Sequence, residues 1–294
     1  MNNIFLKNTI KSCKEQFENI KTCPKNLSQI YSEQCQECLR ISHFEDNNLS
    51  YQCPKSTFVY VCKYANKYAS ETYNLFKVLF KNISYHTPNI LSFGAGPATE
   101  LFALNQLIND KIISSYSYTG IDNNNSNWQP IWEIIQNNNT DQEDITFQLN
   151  NAEQFIQNYD FKQTDIILFN YMISDFAKYA SKQTVKKFLL ALKEKLSQEN
   201  PNTIILFNDI NLDFPFDANK GATHLLKDCF EPTYKRVFKQ FYKNNKKTLE
   251  EQFSYEGTTP MNENNNLIFD CSEDTKRFNP YESMSAIQMI LKKG

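Results

Sequence analysis

Asn89-Ile90-Leu91-Ser92-Phe93-Gly94-Ala95-Gly96-Pro97-Ala98-Thr99-Glu100 is the stretch that decides the fold. An apolar run leads into Gly94-Ala95-Gly96, and Leu101, Leu104, Leu107 and Ile108 follow at helical spacing. That order predicts a strand, a tight turn and a helix. The chain has six glycines in 294 residues, where average usage would give about 20. Two of them placed two apart mark backbone that other residues do not supply. Glycine there permits positive φ and lets a ligand approach bare main chain at a helix N-terminus. A valine at Gly94 or Gly96 is expected to fill that ligand's space. An ordinary strand-to-helix turn has the same pattern, so the two glycines alone do not define a site.

A second element lies one βα unit downstream. Ser117-Tyr118-Thr119-Gly120-Ile121-Asp122 reads as a short strand closed by a carboxylate. In a nucleotide-binding βαβ unit, such an acid accepts from the two ribose hydroxyls. The interval from Gly96 exceeds the usual spacing of about 20 residues. Asn109-Asp110-Lys111 and Ser114-Ser115 read as the extra loop. A strand-terminal Asp serves equally as a helix cap. Further strands are expected around Phe147, over 165–171, over 203–209 and over 285–291, alternating with helical segments. This is the pattern of a doubly wound, mostly parallel α/β sheet.

The rest of the chain falls into two regions. Residues 1–85 read as a helical N-terminal extension and 86–294 as a Rossmann-like ligand-binding domain. Ile10, Cys13, Phe17 and Ile20 space out one apolar helix face, and a second helix is expected from Leu27 to Ile41. A third runs from about Ser56 to Phe80, with Phe58, Cys62, Ala65, Ala69, Tyr73, Phe76 and Phe80 on one side. Asn-rich stretches at 123–127, 137–139 and 263–266 read as loops.

Hydrophobic residues make up 40% and charged ones 22%, the balance of a globular chain with one substantial core. No apolar run approaches the roughly 18 residues of a membrane span, and the start lacks a secretory core. The net charge of −2 argues against gripping nucleic acid over a wide face. Among eight cysteines, Cys35-Gln36-Glu37-Cys38 with Cys23 and Cys53 would suffice for a tetrahedral zinc. Their spacing suits no standard finger, and Cys35 and Cys38 share a helix face where thiols can be buried. The expectation is no metal, with reduced thiols in the cytoplasm.

These pieces resemble the class I S-adenosylmethionine-dependent methyltransferases from about Tyr60 onward. The Gly-x-Gly-Pro-x-x-Glu opening (Gly94 to Glu100), with Trp128 soon after Asp122, is similar to a divergent branch of that superfamily. The resemblance implies S-adenosyl-L-methionine as cofactor and an antiparallel closing strand over 285–291. It implies a donor held by Ser92, Phe93, Gly94, Ala95 and Gly96, with the ribose on Asp122 beside Asn123. The adenine amine would meet Asn151 (or Asn150) and Ala152, and Asn170 would face the donor. Where the family has an acid before the first glycine, this chain has Ser92. Glu100 would supply that carboxylate, or is a first-turn acid favoured by the helix dipole. Ala98 replaces the third glycine and is expected to tolerate a helical turn but not positive φ. Tyr64 and Tyr68 are lid residues or simply pack their helix on the sheet.

On the acceptor side, Asn170 and Tyr171 would orient the substrate. Asp175 would take a proton, or N-cap a helix starting at Phe176. The chain lacks the Asp/Asn-Pro-Pro-aromatic signature and the Pro-Cys nucleophile, so the methyl acceptor stays open between RNA, protein and small molecule. The basic, aromatic stretch Tyr234 to Lys247 would stack bases and neutralise phosphates, or is a helix with one solvated and one buried face. Oligomeric state is left open. A catalytically silent, methyltransferase-like scaffold is the alternative reading.

Overall fold

Three helices precede the first strand: α1 (Ile4–Asn19), α2 (Ser32–Phe44) and α3 (Pro54–Phe80). The alternating part follows as β1 (Asn89–Phe93), α4 (Glu100–Asn109), β2 (Ser117–Asp122), α5 (Gln129–Asn138), β3 (Asp144–Leu149), α6 (Ala152–Asn158) and β4 (Ile166–Asn170). Then come α7 (Ile173–Tyr179), α8 (Lys182–Glu199), β5 (Ile204–Ile210), α9 (Ala222–Phe230), β6 (Tyr234–Tyr242), β7 (Met261–Asn262) and β8 (Ala286–Lys293). This computed structural model describes residues 3–21, 32–44, 53–83, 85–123, 127–139, 144–210, 222–242 and 261–294. Cys23, residues 27–31, 124–126 and 243–247 lie outside them.

The strands form one sheet in the order β3-β2-β1-β4-β5-β8-β6-β7. β1 to β5 pair in parallel, while β8 lies between β5 and β6 and runs antiparallel to both. The reversed closing strand is where the sequence places it. Central strands are buried on both faces, as parallel strands covered by helices must be. Their two-residue period sorts the core. Ile90, Leu168, Leu206 and Ile290 join the helices α1, α3, α4 and α5 on one side. Leu91, Phe93, Ile167, Phe169, Ile205 and Phe207 join α6, α8 and α9 on the other.

Two elements differ from the sequence reading. α3 carries the expected apolar face, but its opposite face is buried too, including Tyr60, Lys67 and Glu71. A helix enclosed on both sides can hold charges only if they satisfy one another, and Lys67 and Glu71 do. Tyr234 to Tyr242, for which a helix with one solvated and one buried face was one of two expectations, is the strand β6 paired with β8. Its Tyr, Val and Phe residues carry the strand signal, and a bulge between Arg236 and Phe238 shifts its register. Asn137 and Asn138 end α5 and are not loop.

Candidate functional site at the switch point of the sheet

In the order β3-β2-β1-β4-β5, successive connections reverse direction between β1 and β4. Open α/β sheets bind ligands at the carboxyl ends of the strands flanking that reversal. The Gly94-Ala95-Gly96 turn forms one lip there, and Asn170-Tyr171 the other.

The glycine lip is tied down on several sides. Gly94 and Gly96 take φ of 62° and 50°. The Ala95 amide donates to the Ile121 carbonyl at 3.0 Å. The Gly96 amide donates to Asp122 Oδ2 at 2.8 Å, and Trp132 Nε1 donates to the Gly96 carbonyl at 2.7 Å. A Cβ on Gly94 would stand 2.4 Å from Met172 Cγ. The far lip therefore occupies the space that the sequence reading reserved for ligand. At Gly96 the nearest atom, on Trp128, is 3.8 Å away, so only its backbone requires glycine. Ala98, expected to avoid positive φ, takes 48°. The third glycine position keeps its left-handed backbone without the glycine, because Ala98 is buried and its amide bonds back to the Ala95 carbonyl at 2.7 Å.

Glu100 is not a solvated first-turn acid. It is buried and accepts from the Ser92 hydroxyl at 2.5 Å, the Tyr118 hydroxyl at 2.7 Å and Asn170 Nδ2 at 3.2 Å. One carboxylate thus joins β1, β2 and the end of β4, next to the positive end of α4.

The opposite lip is a buried polar network. Tyr171, at φ 56°, donates its hydroxyl to Glu71 Oε2 at 2.9 Å and accepts from Lys67. Lys67 pairs with Glu71 Oε1 at 3.0 Å. The same oxygen accepts from the Ser285 and Ala286 amides at 2.8 and 3.2 Å. Asn208 Nδ2 donates to Asn170 Oδ1 at 2.9 Å, and Gln288 Nε2 donates to Asn208 Oδ1 at 2.9 Å. Burial pushes the Lys67 ammonium below its ordinary pKa, and the Glu71 carboxylate opposes that shift. Burial likewise pushes the Tyr171 phenol well up. Beside this network Asp209 accepts from the Ser174 amide at 2.9 Å and from the Ser174 hydroxyl. Burial raises its pKa to about 6.

Tyrosines of α3 cover this lip. Tyr68 stacks on Tyr171 with centroids 4.0 Å apart, and Tyr64 stacks on Tyr68 at 5.3 Å. Tyr60 edges onto Trp128 at 5.6 Å. The Lys67 ammonium lies 4.7 Å from the Tyr68 centroid and 4.4 Å from that of Tyr171.

Other expected residues fall further out. The Phe93 side chain is in the core against Phe155, Phe169 and Phe188, so only its backbone faces the turn. Asn123 is exposed just past β2. Asn151 N-caps α6, its Oδ1 accepting from the Glu153 and Gln154 amides at 2.9 and 3.3 Å, and Ala152 is the first residue of that helix. Asp175 does not N-cap a helix at Phe176: α7 already starts at Ile173, with Met172 at the cap and Asp175 in the first turn. Cys35 is buried, and Cys38 and Cys53 are half-buried. Among the described residues no group of three His, Cys, Asp or Glu stands together to hold a metal. Lys67, Glu71, Tyr118, Asn208 and Gln288 are site residues that the sequence reading missed. The i,i+4 spacing of Lys67 and Glu71, the helix's single acid, was the available signal for the first two.

A mostly parallel sheet in this order, with one reversed strand ahead of β6, is a Rossmann-like α/β arrangement. No family model and no curated protein matches the chain. Among solved structures it is similar to a Listeria monocytogenes protein put forward as a class I S-adenosylmethionine-dependent methyltransferase, at 11% identity and TM-score 0.45, covering 99% of this chain and 79% of that one. TrmN from Thermus thermophilus is similar at 11% identity and TM-score 0.42, over 80% of this chain and 53% of that one. The chain thus spans about half the length of the Thermus protein. A precorrin-6y C5,15-methyltransferase from Geobacter metallireducens is similar at 10% identity and TM-score 0.40, over 74% and 86%. Likenesses this distant assign neither substrate nor chemistry. No helix among the described residues is long and apolar enough to cross a membrane.

Proposed function

We propose that the chain is an S-adenosylmethionine-dependent methyltransferase, with 86–294 as its donor-binding domain and 1–85 as a helical extension. The observation that carries this reading is the 2.8 Å bond from the Gly96 amide to Asp122. It brings the first-strand turn and the second-strand acid together beside the switch point, where a ligand with a ribose and an amino-acid end would need both. The residues suit that ligand. Asp122 would accept from ribose hydroxyls, and the backbone at Gly96, where the atom nearest a Cβ position stands 3.8 Å away, would face the amino-acid end, since Met172 already fills the space beside Gly94. Glu100 stands hydrogen-bonded to Ser92 and supplies the negative charge that Ser92 lacks. The bound donor would supply an electrophilic methyl group. Asn170 and Tyr171 would position the acceptor, since positioning and desolvation carry much of such a reaction, and Asp175 would take a proton. RNA, protein and small-molecule acceptors all fit this arrangement. Cys13, Cys62 and Cys229, free thiols buried in the core, suit a reducing, cytoplasmic setting.

Isothermal titration tests it. Wild-type protein should bind S-adenosylmethionine, and Asp122→Ala should lose roughly 2–3 kcal/mol of that affinity, as charged hydrogen bonds do. No binding by wild type, or equal binding by the variant, refutes the assignment.

One observation favours a second reading, a silent methyltransferase-like scaffold. The acceptor-side groups are satisfied within the chain: Tyr171 by Glu71, Lys67 and the Tyr68 ring, and Asn170 by Glu100 and Asn208. Labelled-methyl incorporation into a cell lysate separates the two. Firm donor binding with no incorporation selects the scaffold.

A further inference from the structure

A row of amide side chains crosses the sheet from β6 to the switch point. Gln240 on β6, Gln288 on β8, Asn208 on β5 and Asn170 at the end of β4 stand directly opposite one another in register, so all four lie on one face. Each amide nitrogen donates to the next amide oxygen: Gln240 to Gln288 at 2.8 Å, Gln288 to Asn208 at 2.9 Å and Asn208 to Asn170 at 2.9 Å. The row ends at Glu100, where Asn170 Nδ2 donates to the carboxylate at 3.2 Å.

Its polarity is fixed at two points by groups that only accept. One is the Glu100 carboxylate, and the other is the Glu71 main-chain carbonyl, which takes the second hydrogen of Gln288 Nε2 at 2.7 Å. Asn208 Nδ2 also donates to Glu71 Oε2 at 3.4 Å, and Asn170 Nδ2 to Thr99 Oγ1 at 3.4 Å. Turning over any one of these three amides would set oxygen against oxygen and nitrogen against nitrogen. Gln288 and Asn208 are wholly buried, where an unmade hydrogen bond is costly. The row therefore has one orientation. Glu71 is balanced by Lys67, but the partners of Glu100, which are Ser92, Tyr118 and Asn170, are all neutral. Aligned amides reinforce one another, and their positive ends point at Glu100.

We propose that Gln288, with Asn208, is a positioning residue for the switch-point site: it locks Asn170 with its nitrogen toward Glu100, and so holds both groups in place for the ligand. Gln288 acts only through Asn208 and Asn170. The inference rests on the donor reading given above.

The first readout needs no ligand. Side-chain amide hydrogen exchange, followed by NMR on the full chain, should show the Asn170 and Asn208 amides protected in wild type. Gln288→Met removes the donor that orients Asn208, and the Asn170 amide should then exchange roughly tenfold faster, the size of one lost hydrogen bond. Calorimetric titration should find S-adenosylmethionine bound roughly tenfold more weakly by the same variant. Met289→Leu, one residue along β8 and on the opposite face, perturbs packing alone and should change neither quantity. If a melting curve shows Gln288→Met misfolded, Asn208→Ala breaks the same link one strand nearer Asn170 and decides instead. An unprotected Asn170 amide in wild type, unchanged exchange or unchanged donor affinity in the row variant, or equal losses in Met289→Leu would each overturn the proposal. Failure of wild type to bind the donor would overturn it by way of the reading on which it rests, and the exchange data tell the two failures apart.

Discussion

The two lips of the switch point are built in opposite ways. On the glycine lip, most partners are near in sequence: Ser92 and Glu100 are 8 residues apart, Tyr118 and Glu100 are 18, and Gly96 and Asp122 are 26, with the Asn170 bond to Glu100, across 70, the tie to the other lip. On the tyrosine lip, Tyr171 meets Glu71 across 100 residues, and Glu71 meets Ser285 across 214. The first lip is a βαβ unit closing on itself. The second exists only once α3, the middle strands and β8 have all met. A site made this way has one side specified by local motif and the other by tertiary assembly alone.

The sharpest way to break that contrast is to remove the group on which the distant elements converge. Glu71→Ala leaves the buried Lys67 ammonium unpaired and strips the Ser285 and Ala286 amides of their acceptor. Losing one partner of a buried pair costs about 3–5 kcal/mol. Urea unfolding should register a loss of that order, with the m-value showing whether the native state stays compact. A loss below about 1 kcal/mol, the worth of an exposed pair, would mean that the lip is not the rigid network described.

A smaller effect sharpens the comparison through pH. Asp209 is fully buried, near Asp175, and its pKa is raised from 3.8 to about 6. The folded protein thus holds this proton more tightly than the unfolded chain. The stability it confers is complete below the unfolded value and is lost as pH rises through about 6. The loss is at most about 3 kcal/mol. Urea titrations of wild type and Asp209→Asn at about pH 4 and about pH 7 isolate the group, because other titrations cancel in the difference. An unchanged pH dependence in the variant would refute the assignment.

The smallest effect belongs to the glycine lip. Ala98 holds a φ of 48° that costs a residue with a Cβ roughly 1–2 kcal/mol. Glycine would remove that strain but enlarge the freedom of the unfolded chain, an opposing effect of roughly 0.4–1 kcal/mol. Ala98→Gly should therefore stabilise by up to about 1 kcal/mol, read from the shift of the urea midpoint. Destabilisation would show that the backbone relaxes without the strain.

What was legible in the sequence follows the same divide. The strands at Ile90, Ser117, Ile166, Ile204 and Ala286 and the turn at Gly94 and Gly96 are periodic or chemically distinctive within a short window. The helical sense of α1 and α3 came from apolar spacing. Lys67 and Glu71 were hidden because local pattern marks a charged residue as solvent-facing, and only the third dimension encloses them. β6 was hidden because Lys235, Arg236 and Lys239 mask a strand whose register also shifts at a bulge. Ala98 was misread for a related reason: propensity describes what a residue prefers, and buried surroundings can hold it elsewhere.

The enclosure of α3 has a consequence for the order of events during synthesis. This helix leaves the ribosome before the strands of this sheet, yet Glu71 and Lys67 find their last partners just past β4, on β5 and at the start of β8. Contacts that span most of the chain close late, after the loop entropy between them has been overcome. Until then the two charges keep the middle of the helix hydrated, while its Phe and Tyr residues offer surface to whatever folding helper is at hand. The same pair that anchors the finished tyrosine lip is, in the nascent chain, what keeps an early and largely apolar helix in solution until the sheet arrives to cover it.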